Sequence, residues 1–417
     1  MNPAGLIPLV LLALFTATAA AADEPPLEWI DPDTGHRVIR ISTEPGSASL
    51  YFHQNTCTPE GDKMIFNTPG GIAAVDLTTL GKGAPRVELV VSNASALAMA
   101  FRTREVYFRR RGGPLMAAHV DTRAVREVTR ARATAVNCDE TFVVSTIAAE
   151  DPSDRTPRPE PRTILPQRER MFPGRTDLTP EEEASARKED RLARRLINPR
   201  SEAFVFTSLK TGESVTNGYQ HAWLNHLQFS PQDPGLLLYC HEGTWHEVDR
   251  IWTIRVDGSE QQLRHRRSMD MEIAGHEFWS WDGRTIWYDL QTPRSREFWL
   301  AGVDIKTGKQ TRYRIERDWW SVHYNVSRDG SLFAGDGGDP GQVAFAKDGM
   351  WINLFRPQPD GTLKRERLVN MSKQDYYAPD GEPNVSITPD NKWVVFRSNM
   401  HGPTHVYAVE IAKHSAP

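Results

Sequence analysis

One pattern recurs along this chain and dictates its architecture. A small or polar residue, often proline, is followed by an acidic residue, often glycine, and then by an apolar alternating run. It stands at TPEGDKMIF (58–66), NCDETFVVST (137–146), FSPQDPGLLLYC (229–240), WSWDGRTIWYDL (279–290), VSRDGSLFAGD (326–336) and ITPDNKWVVFRSN (387–399), with a degenerate copy at AFRTREVYFRR (100–110). Asp-Gly and Pro-Asp-Gly sequences turn the chain, and the β-branched and aromatic alternation behind them makes a strand with a buried face. A second strand ending in a tight turn follows each copy, as in GIAAVDLTTLGKG (71–83), RIWTIRVDGSEQ (250–261) and EFWLAGVDIKTGKQ (297–310). Pairing the two gives seven units. Most start about 40–60 residues apart, the spacing of propeller blades. The fold expected is all-β, a seven-bladed β-propeller of four-stranded blades around a central channel. No GxGxxG, no Walker loop and no βαβ alternation competes with it.

One interval is too long. Glu150 to Arg200 carries Pro-rich, charged sequence and then LTPEEEASARKEDRLARRLINP. Thr179 before Pro180, acids in the next turn, and Arg194 and Arg195 near the end predict a helix. Residues 151–200 are therefore read as a helical, Pro-rich insertion in a single propeller domain spanning 23–417. The helix is either packed beside the central site or a solvated bystander.

Residues 1–22, MNPAGLIPLVLLALFTATAAAA, have the apolar run and small-residue end of a secretory signal, so export to the periplasm or the exterior is expected. The apolar run is too short for an ordinary membrane span. A net charge of −4 over 417 residues points away from nucleic acid. Cys57, Cys138 and Cys240 sit in apolar, strand-like settings and are expected as buried free thiols.

Seven of the thirteen histidines fall between His221 and His323, in phrases that also carry Trp, Glu, Asp or Arg. Histidine titrates near neutrality and ligates metals. With WIDPDTGHRVIRIS, HLQFSPQDPGLLLYCHEGTWHEVDRIW, GHEFWSWDG, the His323 phrase with its GDGG, and PNVSITPDNKWVVFRSN, the chain resembles the oligogalacturonate lyases over nearly all of residues 23–417. That resemblance implies a seven-bladed propeller, β-elimination on short pectic oligouronates, and a divalent metal, manganese first. It assigns His276 as the base and Arg250 as its partner, holding the substrate carboxylate or the developing charge. It makes His323 the first metal ligand. The family's other ligands, a Gln and a His-Pro-His phrase, are replaced here by Glu382-Pro383-Asn384. Glu382 and Asn384 offer oxygens in their place, and one imidazole with oxygen donors suits Mn²⁺, Mg²⁺ or Ca²⁺.

His226, His241, His246 and Glu242 are read as lining the same channel face and contacting sugar hydroxyls. HEGTWH is no zincin motif, because its histidines are five apart and a glycine interrupts any helix. Trp245, Trp279, Trp319 and Trp320 stack on sugar rings or serve as blade aromatics. A non-catalytic exported propeller of the TolB-like kind, binding protein or sugar, shares the turn pattern and is the second reading. The histidine–arginine cluster separates the two, since a scaffold has no need of it. A prolyl-peptidase-like hydrolase is set aside, because there is no GxSxG and no α/β domain.

Overall fold

The computed structural model describes residues 24–153, 166–197 and 200–414; the candidate signal at 1–22 lies outside them. Seven antiparallel sheets follow one another along the chain. The first begins at Lys63–Thr68, and its innermost strand is reduced to the bridges Ala48↔Asn67 and Cys57↔Met64. The innermost strands of blades two to six are Ser95–Met99, Ala135–Val136, Trp223–Phe229, Ile273–Trp279 and Tyr324–Val326. The seventh starts with Ser386–Ile387. All seven turn-strand copies read from the sequence form the hairpin between a blade's first two strands.

Successive strand residues point to opposite faces, and here both faces are buried. Ile65 packs toward blade two, while Met64 and Phe66 pack toward blade seven. Seven apolar clusters result, one for each interface between neighbouring blades, and the last unites blades seven and one. The ring is shut within blade seven. Strand His36–Arg40 pairs with His405–Lys413, which pairs in turn with Trp393–Ser398. All three cysteines are buried and unpaired.

The insertion leaves blade three between Phe142–Ala148 and Glu202–Ser208. It carries helices α1 (Gln167–Met171) and α2 (Pro180–Ile197). The Thr179 hydroxyl accepts from Glu182 N at 3.2 Å and the Glu182 carboxylate accepts from Thr179 N at 2.9 Å, a reciprocal capping box. α2 packs on neighbouring blades rather than standing in solvent. Glu189 and Arg294 form a buried pair at 3.2 Å, Arg195 reaches Glu242 at 3.6 Å, and Leu196 lies over Gly243, where a Cβ would come within 3.0 Å of it.

Candidate active site

The innermost strands of blades four and five are each broken by a bulge, between Asn225 and Gln228 and between Gly275 and Phe278. The residues inside the bulges, His226 and His276, take left-handed backbone angles, φ 50° and 45°. A bulge re-aims a side chain, and here it turns both imidazoles toward the axis, 6.3 Å apart between ring centroids. His323, just before the first strand of blade six, lies 4.7 Å from His276. Three consecutive blades thus deliver three histidines to one arc of the channel.

Each ring has a carboxylate partner. His276 Nδ1 meets Asp289 Oδ1 at 3.2 Å, His323 Nδ1 meets Asp336 Oδ2 at 2.8 Å, and His226 Nδ1 meets Glu277 Oε1 at 3.0 Å. Burial, then the His323 and Arg250 charges, hold His276 well below the usual imidazole range. Burial also pushes Asp289 up to about 7. Both shifts disfavour charge, so His276 stands as a neutral imidazole oriented through Nδ1. Its Nε2 is the nitrogen left for a substrate proton. Only 7% of His276 is exposed, and it sits mid-strand, so it is more enclosed than a residue at a strand end.

Arg250 is almost fully buried. Its Nε donates to Glu277 Oε2 at 3.0 Å, one terminal nitrogen to Glu242 Oε1 at 3.0 Å, and the other lies 3.3 Å from His226 Nδ1. Glu277 is held down to about 2: burial opposes this, but Arg250 and His226 outweigh it. Two of the five Arg250 guanidinium N–H groups donate to these acids and a third faces His226, so a substrate carboxylate meets Arg250 only by sharing it with Glu242 and Glu277. Arg250, expected to hold the substrate carboxylate or the developing charge, first holds this cluster together. Glu242 belongs to the same cluster through Arg250.

For a metal, His323 is well placed. Its Nε2 is buried with no hydrogen-bond partner among the described residues and lies 3.8 Å from Glu382 Oε2, while Asp336 fixes the ring from behind. An oriented imidazole beside a carboxylate fits a divalent ion whose remaining positions are filled by water or substrate. Asn384 does not join them. Its Oδ1 accepts from Phe52 N at 3.1 Å and its Nδ2 donates to the Glu382 carbonyl at 2.9 Å, so it anchors the backbone. His226, Cys240 and Glu277 also cluster closely enough to hold an ion, but the Arg250 guanidinium already occupies that place.

His241 and His246 are not in the channel cluster. His241 hydrogen-bonds Gln220 and stacks on Trp252 at 4.8 Å between blade strands. Its strand alternates, so His241 faces Gln220 of blade three while its neighbour Glu242 faces the opposite side, where Arg250 and Glu277 lie. His246 is buried against Arg294, 3.4 Å from Nδ1, under the inserted helix. Trp279 is packed in the interface between blades four and five, and Trp319 lies between Arg365 and Arg367. Trp245 and Trp320 do reach the site: Trp245 meets His276 edge-on at 4.9 Å, and both indoles line a cavity beside Glu382.

Sequence reasoning missed Tyr51, Phe52 and His53. This loop before the first blade enters the channel, with Tyr51 5.1 Å from His323, Phe52 4.8 Å from His323 and His53 5.6 Å from His226. Burial first, then His226, lowers His53 to about 3. Asp289, Asp336 and Glu277 were missed as well. Glu277 follows His276 directly, so adjacency was its signal; Asp336 stands in the GDGG phrase just past strand Phe333–Gly335.

The sequence pattern described as oligogalacturonate lyase matches residues 196–415. The oligogalacturonide lyase of Pectobacterium atrosepticum is 27% identical over 220 residues, 50% of this chain and 55% of that protein. The oligogalacturonate lyase of Dickeya dadantii is 28% identical over 216 residues, 49% and 54% respectively. The match therefore spans about half the length of these relatives. Among solved structures, an oligogalacturonate lyase in complex with manganese superposes with a TM-score of 0.70 at 21% identity, covering 93% of this chain and 96% of that one. The Vibrio parahaemolyticus oligogalacturonate lyase does so at 0.70 and 20%, with the same coverage. These two share the fold. Because the family pattern covers more than half of the sequence, including the blades that supply His226, His276 and His323, this chain belongs to the oligogalacturonate lyase family.

Proposed function

We propose that the protein cleaves short uronate oligosaccharides by β-elimination, leaving an unsaturated uronate on one product. The observation that carries this is the neutral, buried His276 held by Asp289 and set against His323, whose Nε2 is free to ligate. β-Elimination removes the C5 proton, α to the uronate carboxylate. The C5–H electron pair becomes the C4=C5 bond, and the C4–O bond breaks with its pair going to the leaving sugar oxygen. His276 Nε2 takes the proton, and the departing alkoxide takes one from solvent water to become a hydroxyl.

C5 becomes acidic only when the carboxylate charge is countered. Arg250 supplies one nearby positive charge. A divalent ion held by His323 and Glu382, with manganese the first candidate, would supply the other when bound. Arrival of an anionic substrate also raises the basicity of His276, which burial first and then its cationic neighbours hold down. Residues 1–22 lie outside the described structure; their sequence supports export, and sequencing the amino terminus of the exported protein would test cleavage near Ala22.

The activity test is direct. Digalacturonate, glucuronan and glycosaminoglycan oligomers are incubated with the protein, with and without Mn²⁺, and the ultraviolet absorbance of an unsaturated uronate is followed. Absorbance should grow on digalacturonate, and chelator should lower it while metal analysis finds divalent ion below one per chain. Silence on every uronate would end the lyase reading.

A further inference from the structure

A cavity of about 450 Å³ opens between α2 and the loops of the later blades. Trp245 and Trp320 form part of its lining, Glu382 stands at one side, and α2 walls the other with Ser185 and Lys188. It joins the metal-ligand candidate to the indole that touches His276, so it is the approach to the proposed chemistry. The cations around it are not equivalent. Arg294 is matched by Glu189 at 3.2 Å and Arg397 by Asp380 at 3.1 Å. Lys188 has no carboxylate partner among the described residues, and its ammonium lies 5.9 Å over the Trp245 ring. Arg191, three residues on and also lining the cavity, shares that face of the helix. A single indole separates the Lys188 ammonium from His276: the ammonium lies 5.9 Å and the imidazole 4.9 Å from the Trp245 ring.

We propose that Lys188, with Arg191 beyond it, binds the carboxylate of the uronate adjoining the one that loses its proton. The inserted helix is then a wall of the substrate site, and the preferred substrates carry uronates on both sides of the cleaved bond. Chains that alternate uronate with neutral or amino sugar would offer Lys188 nothing to bind. This inference rests on the uronate-lyase reading above. An unpaired ammonium over an indole is desolvated on one side and keeps its N–H donors for a ligand. Lys188 also adds to the charges that hold His276 unprotonated, so a test must separate recognition from that effect.

Steady-state kinetics of the full protein are compared with Lys188→Gln and Lys188→Arg on two substrates: digalacturonate, and the same dimer methyl-esterified only on the sugar that does not lose its C5 proton. Lys188→Gln should raise KM on digalacturonate about tenfold, the worth of one charge-assisted contact. It should change KM little on the half-ester. Lys188→Arg should restore most of the loss, and added salt should shrink the difference. An unchanged KM on digalacturonate, or an equal change on both substrates, overturns the subsite. Calorimetric binding of digalacturonate to His276→Asn, alone and combined with Lys188→Gln, reads the subsite without turnover. Lys188-dependent binding in a protein that never yields unsaturated product would overturn the lyase reading and keep the subsite. Binding that ignores Lys188 overturns the subsite alone.

Discussion

At positions 226, 276 and 384 the backbone is left-handed, with φ between 45° and 52°, and each position lies three residues before the end of its blade's innermost strand. Non-glycine residues rarely adopt that conformation, and asparagine tolerates it better than most. Asn384 shows that asparagine fits this site in blade seven. The cleanest test of the base is therefore His276→Asn rather than alanine. It should keep the fold, seen as an unchanged melting transition, and lower kcat by about two to four orders of magnitude. Gly275 offers a second test. A Cβ there would come within 2.9 Å of Asp289 Oδ1. Gly275→Ala should push Asp289 off His276 and cost up to about a hundredfold in kcat with KM little changed, since small misplacements in a reacting constellation are expensive. His276 and His323 were legible through the family-like phrases that carry them, and His226 through its place in the histidine-rich stretch. Asp289 was not, because it reaches His276 only across a strand pairing whose bulge resets the register. Asn384 was misread for a related reason: its residue type suits a ligand, but its oxygen is spent on Phe52, remote in sequence.

The inserted element shows the same division. Thr179, Pro180 and Glu182 announce the start of α2, and the capping box forms as those residues dictate. Where α2 docks is set by Arg294, Glu242 and Gly243, scattered over two blades and carrying no pattern of their own. The buried Glu189–Arg294 pair is the strongest polar tie. Removing one partner of such a pair leaves an uncompensated charge and costs about 3–5 kcal/mol. Glu189→Ala should therefore loosen the helix locally. Limited proteolysis should cut within residues 166–197 well before the ring unfolds, and uncleaved protein should retain its thermal transition. If cleavage is no faster than in the unmodified protein, the helix is held by its apolar face instead.

Across the whole ring, buried histidines make stability depend on pH. Burial lowers His53 and His246 to about 3 and His241 to about 4, and holds His276 well below its ordinary value. In the unfolded chain these groups titrate near 6.5, so below that pH the unfolded state binds protons that the native state refuses. Their contribution is fully present above about pH 6.5 and drains away as pH falls toward 3. Asp289, raised to about 7, acts in the opposite sense between pH 7 and 4, but it is one group against four. Urea midpoints should fall between about pH 7.5 and pH 5, and a flat profile would show that these rings are solvated. The seven blades themselves were legible, since each repeats one turn chemistry, whereas the loop at 51–53 that enters the channel belongs to no repeat. The pairing of His36–Arg40 with His405–Lys413 carries a consequence for biosynthesis. The outer edge of blade seven is translated before the other six blades and its middle strand after them. Until that final strand emerges, two blade faces stay bare and the nascent chain is an open arc. A chain cut short just before His405 would be released as an unlatched arc, a substrate for chaperones and proteases rather than a slightly shortened protein.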